Sequence, residues 1–419
     1  MYGGIKTRTY KERTRFEKIE NLPLPDEVTL YTSQHIGAPS EVIVKKKEHI
    51  QKGQLIAQAY GSCSSNLHAS VSGKVRDIAK IEANCGVISE AITIIREGEQ
   101  DMQLMDTLKD PAPDLIRQRV RDAGIVGMGG AGFPTHVKLD PPKKIDIAFL
   151  NGCECEPYLT SDERVIIEEN SKVLKGFLLV IKAIGADKGI IGIEDDKPDA
   201  IKRMKMAAST CKKVEIAIVP KKYPQGYEKM LITEVTGREV PSKGLPHDAG
   251  VSVHNASTCL AVYEAVYEGK PLVERVLTLT GPKVIGPVNV RAPIGMKIKE
   301  ILQYYQIEGS PSHEIFAGGP MMGVSIDSVE LAVLKTTSGI MIDRERIYRE
   351  YPCVRCGKCV EACPMGIVPQ ALNMYADGKD WKKMEEENLS DCMECGCCTY
   401  VCPSKIHLTY KFKTAKVLI

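Results

Sequence analysis

The 419-residue sequence predicts a multidomain protein of mixed α/β and α+β type. Three observations lead there. The chain is too long for one ordinary hydrophobic core, so roughly three or four domains are expected. Its middle part alternates apolar strand runs with helical runs, the pattern of a parallel sheet covered by helices. Near the C-terminus stand two cysteine runs of identical spacing, each followed by proline.

Residues 1–105 read as a barrel-sandwich-like β module. VIVKKKEHIQKGQLIAQ (42–58) is a strand, a charged turn at Gly53 and a strand, and HASVSGKVRDI (68–78) repeats the idea around Gly73. Two such halves resemble biotinyl and lipoyl carrier domains, where Lys74 would be the candidate carrier lysine. The hairpin-tip motif of a modified lysine is missing, so a structural sandwich is expected. The first residues, MYGGIKTRTYKERTRF, are polar and basic, and no signal peptide is expected. No apolar run reaches the roughly 18 residues of a membrane helix. A net charge of +2 gives no reason to expect nucleic acid as a partner.

After a polar linker with two prolines, residues 112–268 read as a parallel-sheet α/β domain. DLIRQRVRDAG is a helix. IDIAFLNG (145–152), KGIIGIED (188–195) and VEIAIVP (214–220) are strands, with ERVIIEENSKVLKGFLLVIKAIG and KPDAIKRMKMAAS as the intervening helices. Residues 271–326 return to β character and suggest a β-grasp-like module of the SLBB type, built from RVLTLTG, NVRAPIG and the helix MKIKEILQYY. The glycine-rich turn AGGPMMG (317–323) lies at its end. Residues 338–419 read as a helical ferredoxin-like domain, with a helix or two in PQALNMYADGKDWKKMEEEN between the cysteine runs.

Those runs carry the strongest chemical signal. Cys353, Cys356, Cys359 and Cys363 precede Pro364, and Cys392, Cys395, Cys398 and Cys402 precede Pro403. Both have the spacing C-x2-C-x2-C-x3-C-P, which holds [4Fe–4S] clusters. One tight loop places three thiolates on three corners of a cube, and the fourth cysteine usually serves the other cluster. Cys353, Cys356, Cys359 and Cys402 are therefore assigned to one cluster, and Cys392, Cys395, Cys398 and Cys363 to the second. Zinc sites are usually built from two cysteine pairs, not from two identical four-cysteine runs. Cys397 is a spare thiol and is not expected to be a ligand. Oxygen-sensitive clusters and free thiols fit a reducing cytoplasm.

Gly127-Met128-Gly129-Gly130-Ala131-Gly132-Phe133-Pro134-Thr135 is the second signal. Four glycines in six residues let backbone N–H groups approach a phosphate or a flat ring. The stretch lacks the preceding strand of a Rossmann fingerprint. Asn151-Gly152-Cys153-Glu154-Cys155-Glu156-Pro157 follows at the C-terminal end of a predicted strand, the edge where open α/β sheets bind ligands. An acid-rich helix start would give the same residues a structural role.

GMGGAGFPTHVK followed by NGCECEP resembles the flavin- and NADH-binding subunit of respiratory complex I, with its GRGGAGFPTG loop and N-A-D-E-x-E-P segment. A closer resemblance is to the C subunit of the Rnf complex, a membrane ferredoxin:NAD oxidoreductase. QHIGAP (34–39), HASVSGKV (68–75), the glycine loop, ECEPYLT (154–160), AGGPMMG, KTTSGI (335–340) and both cysteine runs occur in that order. Two departures stand out. The family's early G-G-x-H-P-P reads GGIKTRT here, and Cys153 replaces the usual Ala or Asp.

The resemblance implies an FMN/NAD(H)-binding role for 112–268. Gly127, Gly129, Gly130, Ala131 and Gly132 would line the FMN site, and Lys138 would approach the flavin or its phosphate. Asn151 and Glu154 would hold the ring or ribityl hydroxyls. Glu156 would face the dinucleotide and Phe133 would stack on adenine. Gly226, Tyr227 and Glu228 align with a Gly-Glu-Glu segment of complex I, with Glu228 at the nicotinamide. His254, Asn255 and Thr258 align with its Asn-Asn-x-x-Thr segment near the phosphate. The FMN would be noncovalent, because no threonine motif for phosphate-linked attachment is found.

The implied activity is electron transfer between NAD(H), FMN and two [4Fe–4S] clusters in an ion-translocating ferredoxin:NAD+ oxidoreductase. The implied partners are the iron–sulfur B subunit and membrane flavin subunits, with ferredoxin served indirectly. The chain would be peripheral, on the cytoplasmic face of the membrane. The alternative is a related flavin and iron–sulfur reductase acting on another acceptor such as a corrinoid. In such reductases the HIGAP-type module is C-terminal, whereas here it is N-terminal.

Overall fold

Four short apolar segments build the sheet that organises the protein. In the computed structural model, which describes residues 3–83, 87–307, 313–344 and 349–419, these are Ile147–Asn151, Lys188–Glu194, Val214–Val219 and Val251–Asn255. All pair in parallel, and the spatial order places the first between the second and the last. The order of strands therefore reverses between Ile147–Asn151 and Val251–Asn255, which makes their C-terminal ends a topological switch point. Phe149 and Leu150 are wholly buried, as strands covered on both faces require. The strand Val251–Asn255 was absent from the sequence-based expectation because SVHN lacks an apolar run.

Helices cover the sheet. Pro113–Asp122 begins with proline at its first position, where the missing N–H costs nothing. The expected single helix over 163–185 is two, Ser161–Glu168 and Asn170–Ile184, interrupted at Glu169. The second packs against Ala256–Tyr263 so closely that a Cβ on Gly176 would lie 1.8 Å from the Cys259 carbonyl oxygen.

The N-terminal module is a sandwich of two antiparallel sheets. One contains Glu27–Tyr31, Ile88–Arg96, Gly73–Glu82 and His49–Ile50, and the other Glu41–Val42, Leu55–Gln58 and Leu67–His68. Val28, Leu30, Ile56, Ile92 and Ile94 fill its core. Lys74 lies in mid-sheet, in register with Ile95 and His49, and not at a hairpin tip.

The third unit departs from the expected 271–326 range. Its six-stranded mixed sheet runs Ile19–Asn21, Val288–Pro293, Glu274–Thr280, Gly339–Arg344, His313–Ala317, Val324–Ile326. Gly339–Arg344, expected in the C-terminal domain, is instead an interior strand here, because GIMIDR carries the apolar run that pairs with both neighbours. Ile19–Asn21 leaves the range expected for the first module and pairs in parallel with Val288–Pro293.

The C-terminal unit is helical. Pro369–Asp377 and Trp381–Glu386 fill the interval between the cysteine runs, and Leu408–Leu418 packs across them through Leu372, Met384, Leu389 and Phe412. The N-terminal strap reaches this unit. Gly4 donates its N–H to the Ala362 carbonyl at 3.0 Å, and a Cβ on Gly3 (φ +61°) would fall 2.2 Å from the Cys363 oxygen. No side chain fits there, which accounts for the Gly-Gly pair. Among the described residues no helix is long and apolar enough to cross a membrane.

Candidate functional site

Asn151 and Asn255 face each other in register at the switch point. Asn255 caps the helix Ala256–Tyr263, accepting the N–H of Ser257 at 2.9 Å and of Thr258 at 3.3 Å. The Thr258 hydroxyl accepts the Met128 N–H at 2.9 Å and donates to the Val126 carbonyl, which ties the glycine loop to the same helix start. The loop is closed at its base by a bridge between Val126 and Pro134 and by the Gly127 N–H on the Phe133 carbonyl at 2.9 Å. Gly129, Gly130 and Ala131 are exposed at its tip. A Cβ on Gly129 would press on the Asn255 side chain at 2.8 Å, whereas Gly130 faces open space. Gly132 (φ +75°) is buried against Thr336, Gln34 and His35, so the QHIGAP and KTTSGI segments brace the loop from behind.

The predicted carboxylates divide differently from expectation. Glu154 is buried and accepts Ser161 Oγ (3.0 Å) and the N–H groups of Asp162 (3.1 Å) and Glu163 (3.2 Å). It serves first as the acid at the start of helix Ser161–Glu168. Glu156 was expected to face a dinucleotide. Its two oxygens instead accept the N–H groups of Met321 (3.1 Å) and Met322 (2.7 Å), because the side-chain-free Gly319 lets the 317–323 turn close over it. Burial pushes its pKa up to about 7. Asn151 donates to the Gly226 carbonyl at 2.7 Å and accepts the Cys153 N–H.

Lys138 and Glu228 form an ion pair at 3.1 Å, both about one third exposed. Phe133 is 38% exposed beside the loop tip. Tyr227 is half-buried, with its pKa raised by desolvation to about 12. His254 corrects another expectation. It is buried mid-strand opposite Leu150, bonded to Ser252 Oγ at 2.9 Å, and held neutral by burial. Successive side chains alternate across a sheet, so His254 lies on the opposite face from Asn255.

The eight cysteines of the runs line two cavities. Cys353, Cys356, Cys359 and Cys402 surround one; Cys363, Cys392, Cys395 and Cys398 surround the other. This is the crossed arrangement expected from the spacing. Cys397 also lines the second cavity and is wholly buried. Among the described residues no cysteine is in a disulfide, and no three His, Cys, Asp or Glu side chains gather as a single metal ion would need. Thiols spread round a cavity suit a four-iron cube.

The two halves of the site meet. Tyr223 donates its hydroxyl to the Cys395 carbonyl at 2.7 Å, and Cys155, Tyr227 and Met321 pack with Cys395 and Cys397 in one apolar cluster. Gly396 lies close to the Met321 carbonyl. The cavity of Cys363, Cys392, Cys395 and Cys398 thus adjoins the strand-end segment 153–156. Sequence reasoning missed Tyr223, Asp162 and Arg275. Asp162 accepts Asn255 Nδ2 and Ser257 Oγ, both at 2.6 Å, and Arg275 donates to the Met128 carbonyl at 3.1 Å. No local motif marks them; only the fold brings Asp162 and Arg275 under the glycine loop and Tyr223 against a cluster loop.

Fold and site together define an FMN-binding, iron–sulfur electron-transfer oxidoreductase. Gly130 faces open space at the loop tip, and the thiols of the two cysteine runs line two cavities. Family models agree: the RnfC barrel sandwich hybrid domain matches 1–99, the Nuo51 FMN-binding domain 120–264 and the 4Fe-4S dicluster domain 352–406. The chain is 41% identical over 399 residues to the C subunit of the proton-translocating ferredoxin:NAD(+) oxidoreductase complex of Clostridium ljungdahlii, covering 93% of this chain and 87% of that one. It is 39% identical to the C subunit of the Na(+)-translocating complex of Acetobacterium woodii, covering 93% and 90%. The C subunit of the ion-translocating oxidoreductase complex of Rhodobacter capsulatus is also 39% identical, covering 88% and 74%. The chain belongs to the family formed by the C subunits of these ion-translocating (Rnf) oxidoreductase complexes.

Proposed function

We propose that this protein carries electrons between NAD(H) and the other subunits of a membrane Rnf complex, through FMN and two [4Fe–4S] clusters. When bound, FMN supplies the exchange between two-electron hydride transfer and one-electron steps. The observation that carries the reading is the contact of Tyr223 with the Cys395 carbonyl, which sets one cluster cavity beside the flavin-binding edge. The glycine loop offers backbone N–H groups and an exposed tip. Lys138 and Glu228 stand where a charged or polar group of the ligand would exchange with their ion pair. Phe133 offers a ring face for adenine. Asn151, Glu154 and Glu156 hold the walls in place.

In this reading the Cys363, Cys392, Cys395 and Cys398 cluster is the one nearer the flavin. The cluster of Cys353, Cys356, Cys359 and Cys402 is nearer the outside, since Cys353 and Cys356 are exposed. The chain sits peripherally on the cytoplasmic face, hands electrons to or from the iron–sulfur B subunit and the membrane flavin subunits, and reaches ferredoxin through them. Purification of the membrane complex under anaerobic conditions tests this. NADH should bleach the flavin and then the cluster absorbance of the chain, and the named subunits should copurify. A flavin that NADH leaves oxidised would overturn it.

A further inference from the structure

Arg275 is the largest fully buried side chain of the described residues, with 2% of its surface exposed. It lies at the start of the strand Glu274–Thr280, and its Nη2 donates to the Met128 carbonyl in the middle of the glycine loop. Among the described residues its Nε and Nη1 have no hydrogen-bond partner. Asp162 and Glu154 act on it electrostatically, yet among the described residues it makes no close ion pair. An isolated buried cation is costly, and an apolar residue of similar volume usually stabilises a core better. Its placement therefore needs a reason beyond packing.

The surroundings supply one. Asp162, the first counter-charge of Arg275, grips Asn255 Nδ2 and Ser257 Oγ at 2.6 Å each. Asn255 is the side chain on which Gly129 rests, and Thr258, one turn into the helix it caps, receives the Met128 N–H. Both peptide groups of Met128 are thus held, the carbonyl by Arg275 and the N–H by Thr258. A charge fixed in a low-dielectric interior acts strongly on an anion placed across one layer of backbone.

We propose that Arg275 is a positioning residue for the flavin phosphate: it fixes the glycine loop through the Met128 carbonyl, lends its positive charge to the loop's N–H groups, and together with Asp162 holds Asn255 against Gly129. This rests on the reading of the glycine loop as the flavin cradle. Arg275 itself does not touch the flavin.

The test is titration of flavin-depleted, cluster-replete protein with FMN, followed by quenching of flavin fluorescence. R275M should raise the FMN Kd about ten- to a hundredfold while iron content is unchanged, the size expected for losing a charged hydrogen bond. R275K keeps the charge and one donor and should recover most of the affinity. The flavin midpoint potential should move with R275M and return with R275K, a response that a merely structural role would not give. If R275M fails to take up iron, D162N is the second variant, and it too should weaken FMN. An R275M Kd within about threefold of wild type overturns the proposal, as does an R275K protein no better than R275M or an unaffected D162N where R275M does not fold. G129V separates the two readings. If G129V abolishes binding while R275M and D162N bind normally, only the positioning role fails; if G129V also binds normally, the cradle reading fails.

Discussion

The Tyr223 hydroxyl reaches the backbone carbonyl of Cys395 over 2.7 Å, and both residues are buried. One bond thus joins the ligand-binding edge of the parallel sheet to a cluster loop. Tyr223→Phe leaves the carbonyl unsatisfied at a cost of about 1–3 kcal/mol and alters a dipole beside the cluster. The expected result is a lower Tm and a shifted potential for one cluster, with FMN content unchanged. Redox titration by EPR reads this out; potentials of both clusters identical to wild type would refute it.

The crossed cavities make a paired prediction. The intact protein should carry about eight irons. Cys363→Ser and Cys392→Ser should remove the same EPR signal, and Cys402→Ser and Cys353→Ser the other. If Cys363→Ser removes the signal that Cys353→Ser removes, the assignment is wrong. Cys397→Ser should leave the iron content intact despite the burial of Cys397.

Glu228→Gln breaks the ion pair with Lys138. Loss of a charged contact at the dinucleotide should lower kcat/KM for NADH about ten- to a hundredfold, with FMN and iron retained. NADH:ferricyanide assays check this. Unaltered kinetics would place the nicotinamide elsewhere.

Glu156 predicts a pH effect and not a kinetic one. Its pKa in the folded protein is raised by burial from 4.5 to about 7. Between those values the folded state keeps a proton that the unfolded chain has released, so stability falls as the pH rises through the window. Glu156→Gln removes that slope. Tm measured from pH 5 to 7.5 should drop more steeply for the wild type than for the variant, and parallel curves would contradict the shift.

Gly129→Val should abolish FMN binding and spare the clusters, because even its Cβ would collide with the Asn255 side chain at 2.8 Å and force the loop tip out of place. Acid precipitation of wild type should release the flavin into the supernatant, as a noncovalent cofactor requires. A chromophore that stays with the pellet would show a covalent link.

The cysteine chemistry was legible because cluster ligation is written in local spacing; even the exchange of Cys363 and Cys402 between sites follows from it. The strands through Phe149, Ile191 and Ile216 were legible from apolar runs. Val251–Asn255 was not, since Ser252 and His254 interrupt the pattern while tertiary burial holds both inside. Glycine spacing marked the loop but said nothing of what lies beneath it. Asp162 and Arg275 arrive from segments 113 positions apart, and no periodicity links them. Glu154 and Glu156 were recognised as unusual, but their partners, the start of one helix and the N–H groups of a distant turn, depend on the folded chain.

The Gly3–Gly4 strap has a consequence for biosynthesis. Its seat is formed by Ala362 and Cys363. Translated at about 5–20 residues per second, that seat appears roughly 20–70 s after the strap leaves the ribosome. A stretch that precedes its seat by about 360 positions thus waits for it, and it packs against the backbone of a cysteine that lines a cluster cavity. Clusters assembled before the strap docks would meet the Cys363 loop without this cover, and clusters assembled afterwards would meet it closed.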